Sequence, residues 1–257
     1  MEQRFTFNTV ADLYDQARAG YPQALYDDLM EFDNLSAGDA ILEVGCGTGK
    51  ATEEFARRGL NVVALDPGPE MIAAARRRLG PTKSVRFVQT TFEAWPIEAG
   101  AFRLVAAAQS WHWVDPNVRF RKASEALAPG GALAVFGSSP EPIPQPVREA
   151  LEKVYAIHTP ELAGPPPEHA YHPSGPFSRD FKGSALFEPV LHRSYPWLRS
   201  FSARSYVEYL ATISRYQLID EKRRKDLLAA IVEAIDVNGG GFDAPVETHL
   251  YFARRKG

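Results

Sequence analysis

Gly45, Gly47 and Gly49 stand at alternate positions directly after the apolar run Ile41-Leu42-Glu43-Val44, interleaved with Cys46 and Thr48 and followed by Lys50. A chain that leaves a buried strand and turns at once into a helix passes through backbone conformations that side chains obstruct. A ligand lying on that turn also needs backbone without Cβ atoms. The three glycines supply both. Dinucleotide loops want Gly-x-Gly-x-x-Gly, which brings a pyrophosphate to the helix N-terminus; here Lys50 holds the place of the third glycine and Gly49 comes one residue early. A neutral or cationic ligand without a pyrophosphate fits this spacing better.

Two further groups could do chemistry. Asp66 lies 21 positions after Gly45, at the end of the β-branched run 61–65, where a doubly wound fold places a carboxylate to accept from ribose hydroxyls. The competing reading is a surface or N-cap aspartate. Gln109-Ser110-Trp111-His112-Trp113 ends the apolar run 102–107, and offers an imidazole to take a proton and indole faces for a cation. A tryptophan cluster closing the sheet around a structural histidine is the alternative. Cys46 reads as a small loop residue rather than a nucleophile, and His158, His169, His172, His192 and His249 have no metal-ligand spacing. Histidines of the proline-rich stretch could meet substrate or simply water.

The elements that must position these residues alternate along the chain. After the glycine loop, helices are expected at 50–58, 70–79 and 117–127, and strands at 61–65, 85–89, 102–107 and 132–136, the last following a turn at Pro129-Gly130-Gly131. Such alternation requires crossovers and predicts a parallel sheet covered on both faces. Two helices, 9–18 and 22–32, precede it. Residues 140–185 are rich in proline, with Pro165-Pro166-Pro167 stiffening the middle; they continue a sheet poorly and suit a cap over substrate. Strands at 190–198 and 245–253, helices at 205–212 and 221–237, and a turn at Gly239-Gly240-Gly241 complete the pattern.

With 257 residues, 45% hydrophobic and 24% charged, the chain can bury a sizeable core as one large domain. The segments expected are 1–35 as helical lid, 36–139 as cofactor-binding core, 140–185 as substrate cap and 186–257 as the rest of the sheet and its helices. The formal net charge of -3 gives nothing global to attract a polyanion, and the basic runs Arg76-Arg77-Arg78, Arg223-Arg224-Lys225 and Arg254-Arg255-Lys256 read as solvated ends of elements. No apolar run approaches a bilayer span, and Met1-Glu2-Gln3-Arg4-Phe5 lacks a basic segment followed by an apolar core. With one cysteine, a reducing cytoplasm is the expected compartment.

The glycine segment resembles the first motif of class I S-adenosylmethionine-dependent methyltransferases, in which an acid inside the strand, here Glu43, precedes Gly-x-Gly-x-Gly. Trp111-His112-Trp113 resembles the signature after the fourth strand in small-molecule members such as the trans-aconitate methyltransferases. Tyr14-Asp15-Gln16-Ala17-Arg18-Ala19-Gly20-Tyr21-Pro22 is similar to their Tyr-Asp-x-x-Arg-Pro-x-Tyr-Pro segment, with Ala19 replacing the usual proline. The resemblance implies a Rossmann-like, doubly wound, mostly parallel sheet of seven strands with an antiparallel last strand, and S-adenosyl-L-methionine as cofactor. It assigns the cofactor to Tyr14, Arg18, Glu43, Gly45, Cys46, Gly47, Gly49, Asp66, Pro67, Met71, Phe92, Glu93 and Gln109, with Arg18 on the methionine carboxylate. It assigns the acceptor to Tyr21, Trp111, His112 and Trp113, with His112 as a base where the acceptor is a hydroxyl or amine. The partner implied is a small molecule, without nucleic acid or membrane. The alternatives are an NAD-dependent oxidoreductase, a protein that binds S-adenosylmethionine without catalysis, and an RNA or protein methyltransferase.

Overall fold

In the computed structural model, residues 11–162 and 170–257 are described. The opening segment 1–5, the start of the first expected helix at Thr9 and Val10, Pro165-Pro166-Pro167 and His169 lie outside them. A seven-stranded sheet runs in the order β3-β2-β1-β4-β5-β7-β6, built from β1 (Ala40–Val44), β2 (Asn61–Asp66), β3 (Val85–Gln89), β4 (Phe102–Ala108), β5 (Leu127–Pro140), β6 (Leu191–Ser202) and β7 (Gly241–Arg254). The pairs β1·β2, β2·β3, β1·β4 and β4·β5 are parallel. The last strands run antiparallel: Glu141 N–H donates to the Pro245 carbonyl and Arg255 N–H to the Gly131 carbonyl.

Alternation along each strand divides the core into two layers. Leu42, Val44, Val105, Ala107, Leu133, Val135, Tyr251 and Ala253 fill one layer, and Ile41, Leu104, Ala106, Ala134, Phe136, Leu250 and Phe252 fill the other. Both faces are apolar, so the parallel strands read as continuous runs rather than as polar-apolar repeats. On the second layer lie α2 (Gln23–Phe32) and α3 (Lys50–Arg57), which bury Leu25, Tyr26, Leu29 and Phe55. The first layer takes Ala123 and Ala126 of α5 (Arg119–Ala126), and Phe177 and Phe181 of α7 (Pro176–Gly183). Between β2 and β3 runs α4 (Pro69–Leu79), opened by a proline in its first turn and closed at Gly80.

Contacts separate the chain into two units. The sheet unit holds Gly20–Ser139, Glu168–Tyr195 and Thr248–Gly257, and the other holds Met1–Ala19, Pro140–Pro167 and Pro196–Glu247. The second unit contains α1 (Ala11–Ala17), α6 (Gln145–His158), α8 (Ala203–Ala211), the short α9 (Ser214–Gln217) and α10 (Glu221–Asp236). Its own core joins Val147 and Leu151 of α6 to Leu210, Tyr216, Leu227, Ile231 and Ile235. Asp220 caps α10 by accepting from the N–H groups of Lys222 and Arg223. The stretch 140–185, read as one cap from the sequence, contributes α6 to this unit and α7 to the sheet unit.

The Pro129-Gly130-Gly131 segment departs from the turn expected of it. It lies inside β5, opposite a register shift between Phe102 and Leu104. A Cβ at Gly131 would stand 2.8 Å from the Arg103 carbonyl oxygen. Glycine here admits a neighbouring backbone within the sheet instead of reversing the chain.

Candidate functional site

The glycine loop leaves β1 at the C-terminal edge of the parallel strands, beside the point where strand order reverses between β1 and β4. This is the crevice in which open α/β sheets bind ligands. Gly45, Gly47 and Gly49 all have positive φ, at 71°, 54° and 81°, but their surroundings differ. A Cβ on Gly45 would lie 2.5 Å from Ser110 Cβ, and one on Gly49 would lie 3.0 Å from Ala75 Cβ and 3.1 Å from Leu79 Cδ1. Those two glycines let the loop press against the end of β4 and against α4. Among the described residues, a Cβ on Gly47 would meet no atom within 4 Å. Gly47 therefore presents bare backbone to open volume, as a cofactor lying on the turn requires.

Asp66 holds that loop. One carboxylate oxygen accepts from the Gly47 N–H at 2.8 Å and the other from the Gly68 N–H at 2.8 Å. Burial raises its pKa, and these two N–H groups oppose the rise. A carboxylate has about four lone-pair sites, so two remain for ribose hydroxyls. Cys46 sits in the loop with its N–H on the Leu65 carbonyl at 2.8 Å and its thiol buried, a placement that raises the thiol pKa well above its ordinary value. Thr48 adds a buried hydroxyl oxygen with no hydrogen-bond partner among the described residues. The residues present fit a nucleoside cofactor.

Glu43, one residue before the end of β1, is fully buried. Its Oε2 accepts from the Thr52 hydroxyl of α3 at 2.7 Å, while Oε1 has no partner among the described residues. Desolvation pushes its carboxyl up to about 8, reinforced by the negative charge of Asp66 and opposed by Thr52. Its observed contact ties β1 to α3, underneath the loop.

Strand β4 delivers the third group. Gln109 adopts a left-handed φ of 55°, and its side-chain oxygen accepts from the Ser138 N–H at 2.7 Å. Ser110 donates its hydroxyl to the Val44 carbonyl, tying the exit of β4 to that of β1. Trp111, His112 and Trp113 then form one turn of 3-10 helix. His112 is exposed; its ring centroid is 4.7 Å from that of Trp113, and its Nδ1 is 3.4 Å from the Tyr171 hydroxyl. Tyr21 packs its ring edge-on to Phe136 at 5.0 Å.

The structure places other expected residues differently. The resemblance puts Trp111 at the acceptor, yet this side chain is fully buried. Its ring packs against Phe92 at 6.1 Å and Phe120 at 5.9 Å, with the Arg119 guanidinium 5.9 Å from its centroid. Aromatic surface and a neighbouring cation hold it in the core, so its role there is support for the turn. Met71 and Phe92 are likewise buried in the sheet unit. Pro67 is half-buried, and Glu93 accepts from the Asp115 N–H at 2.9 Å, bracing the segment after Trp113. Arg18 and Tyr14 belong to the other unit. There Arg18 donates to the Thr212 hydroxyl at 2.8 Å and to its carbonyl at 3.3 Å, and its guanidinium lies 4.7 Å from the Tyr209 ring centroid and 5.2 Å from that of Tyr14.

Sequence reasoning missed two residues near the turn. Arg119 donates to the Trp111 carbonyl at 3.2 Å and pairs with Asp180 of α7, with its guanidinium 5.1 Å from the Phe177 ring centroid. Tyr171 is fully buried beneath His112. Neither had a local sequence signal, because each acts on residues distant along the chain. The histidines partly gather: His192 Nε2 is 3.3 Å from His249 Nδ1, and His172 lies edge-on to His249 at 5.7 Å between centroids. Among the described residues no group of three or more His, Cys, Asp or Glu side chains could hold a metal ion, and no helix is long and apolar enough to cross a membrane.

Comparison with known proteins agrees with this geometry. The family model described as a methyltransferase domain matches residues 41–131, which include the glycine loop, Asp66 and the Trp111 turn. An uncharacterized methyltransferase of Mycobacterium tuberculosis is 34% identical over 134 residues, 52% of each chain. The trans-aconitate 2-methyltransferase of Paracidovorax citrulli is 34% identical over 126 residues, 48% of this chain and 46% of that one. The chain thus spans about half the length of the curated relatives it matches. In fold, it is similar to a putative type II methyltransferase from Anaeromyxobacter dehalogenans, with a TM-score of 0.63 at 20% identity over 92% of this chain and 97% of that one. Between Ile41 and Gly131, this chain is similar to the methyltransferase domain family.

Proposed function

We propose that this chain transfers a methyl group from S-adenosylmethionine to a small-molecule acceptor by direct displacement, in a reducing, cytoplasmic compartment. The observation that carries the reading is the bare backbone of Gly47 facing open volume while Asp66 grips its N–H. When bound, S-adenosylmethionine supplies an electrophilic methyl carbon on a sulfonium that departs as a neutral thioether. The protein's task is then alignment and exclusion of water rather than covalent help. The remaining lone pairs of Asp66 accept ribose hydroxyls, and the loop of Gly45, Cys46, Gly47 and Gly49 receives the methionine end. Gln109, fixed by Ser138, borders the same crevice. Trp113 offers an aromatic face to positive charge, with Tyr21 on the acceptor side. A carboxylate acceptor arrives already ionised. A hydroxyl or amine must lose a proton, and His112, the exposed imidazole of the turn, takes it.

Calorimetric titration of the chain with S-adenosylmethionine, S-adenosylhomocysteine and NAD tests the cofactor; binding of NAD alone would overturn the reading. A methyl-release assay over small acids, phenols and amines then finds the acceptor. With a hydroxyl or amine acceptor, His112→Ala lowers turnover by about 10²-fold or more, the usual scale for a lost general base, and leaves cofactor affinity unchanged. Full turnover of that variant at saturating acceptor would remove the base from the mechanism.

A further inference from the structure

We propose that Arg18 and Arg199, set around the Tyr209 ring, form a carboxylate-binding site in the second unit, for a small organic acid whose apolar body lies on the aromatic side chains beside them. All the residues of this site belong to that unit and none to the glycine loop, so it stands independently of the methyl-transfer reading.

The local structure brings the two guanidiniums to one ring. Arg18 follows α1, and its N–H donates to the Tyr14 carbonyl at 3.0 Å, so the last turn carries Tyr14 and Arg18 on one face. The Arg18 guanidinium lies 5.2 Å from the Tyr14 ring centroid and 4.7 Å from that of Tyr209 in α8. Arg199 stands two residues before Phe201 on β6, on the same face of the strand. Its guanidinium lies 4.3 Å from the Phe201 centroid and 4.7 Å from that of Tyr209.

Each guanidinium is held by a helix end. Thr212, fully buried at the close of α8, donates its hydroxyl to the Tyr209 carbonyl at 2.6 Å and accepts from Arg18 Nε at 2.8 Å. Arg18 Nη2 donates to the Thr212 carbonyl at 3.3 Å, and Arg199 Nη2 donates to the Ala17 carbonyl at the end of α1. A guanidinium only donates and a carbonyl only accepts, so these directions are settled. The contacts orient both planes and use a minority of their N–H groups.

What the pair lacks is a counter-charge. In the same unit Arg204 pairs with Glu208 and Arg223 with Glu161, whereas among the described residues neither Arg18 nor Arg199 meets a carboxylate. Burial lowers the pKa of the Arg199 guanidinium and the Arg18 charge lowers it further, with Tyr209 acting in the opposite direction. Backbone carbonyls offer these cations partial charges only. An incoming anion relieves two half-buried like charges at once. A carboxylate takes parallel N–H bonds from a guanidinium, and Tyr209 and Phe201 supply apolar surface that an organic acid covers and inorganic phosphate does not.

The test is calorimetric titration of the intact chain at low ionic strength with benzoate, hexanoate and inorganic phosphate, with and without saturating S-adenosylhomocysteine. Saturable binding of at least one of the two organic acids is expected, tighter than that of phosphate. Its affinity should fall at least about tenfold in Arg18→Met and in Arg199→Met, the scale of a lost charged hydrogen bond, and stay within about twofold when S-adenosylhomocysteine is present. No saturable binding of either organic acid, phosphate binding as tightly, or an affinity unchanged in both variants would overturn the proposal. So would displacement of the acid by S-adenosylhomocysteine, which would give the two arginines to the cofactor's own carboxylate. Should Arg199→Met lose the native near-ultraviolet circular dichroism, Arg199→Lys keeps a positive charge and removes the planar fork; the same tenfold loss is expected, and full affinity would overturn the proposal.

Discussion

Replacing Glu43 by glutamine should stabilise the protein, and by more as pH rises. Burial pushes the folded carboxyl up to about 8 from an ordinary 4.5. Between those values the folded chain keeps a proton that the unfolded chain has released, so the folded state binds more protons and stability falls with increasing pH. The contribution is intact below about 4.5 and is progressively lost up to about 8. At about 1.4 kcal/mol per unit, the loss reaches about 3 kcal/mol at pH 7 and about 5 kcal/mol above pH 8. The substituted amide would keep an oxygen for the Thr52 hydroxyl and place a neutral group where Oε1 now lies without a partner among the described residues. Glu43→Gln should therefore match the wild type near pH 4.5 and exceed it by about 3 kcal/mol at pH 7. Urea unfolding at intervals from pH 4.5 to 8.5, followed by tryptophan fluorescence, measures this; Trp95, Trp111 and Trp113 all report on the sheet unit. A difference between variant and wild type that stays flat over this range would refute the reasoning, because it would mean that the carboxyl ionises in the folded protein as freely as in the unfolded one.

The loop glycines should separate into two classes. Gly45→Ala forces a Cβ into Ser110 at 2.5 Å and should destabilise by about 1–3 kcal/mol from overpacking, in addition to the cost of left-handed backbone that it shares with Gly47, read as a lower melting temperature. Gly47→Ala meets no protein atom among the described residues and carries the roughly 1–2 kcal/mol cost of left-handed backbone. Calorimetry should show it binding S-adenosylhomocysteine at least about tenfold more weakly. Arg119→Met leaves Asp180 without its ion-pair partner and the Trp111 carbonyl without its donor. A loss of about 1–2 kcal/mol is expected, mostly from the buried Trp111 carbonyl losing its donor, because the partly exposed Asp180 is screened by solvent; a reduced near-ultraviolet tryptophan signal should accompany it, and an unchanged melting temperature would show these contacts to be dispensable.

The parts of this fold readable from sequence are those whose signals are local. Val85-Arg86-Phe87-Val88-Gln89 is rich in β-branched and aromatic residues between turn signals, and β3 spans those residues. Pro67 and Gly80 bracket α4 in the same local way. Where a local signal serves a distant neighbour, the reading fails. Pro129-Gly130-Gly131 has turn chemistry, but Gly131 answers to the Arg103 backbone on the next strand. Helix α6 was hidden by the prolines around it, although Val147 and Leu151 lie four residues apart and are both buried. In the glycine loop, the left-handed positions of Gly45 and Gly47 and the place of Asp66 at the end of β2 were legible because backbone conformation and strand ends dictate them. Trp111 was not, since its type cannot say whether it faces a crevice or packs under Phe92 and Phe120. Tyr171 is 59 positions from His112, and only folding brings them together.

The strand order also constrains how the chain can be made. β7 lies between β5 and β6, yet it leaves the ribosome after both. From Pro140 to Gly241 the chain advances 101 positions, which takes on the order of 5–20 s of translation. Throughout that interval the apolar edge formed by Leu133, Val135 and Phe136 has no neighbour on one side, and β6 has nothing to join. An unpaired apolar edge invites pairing with another chain, so a nascent copy is exposed to strand exchange until β7 arrives to close it.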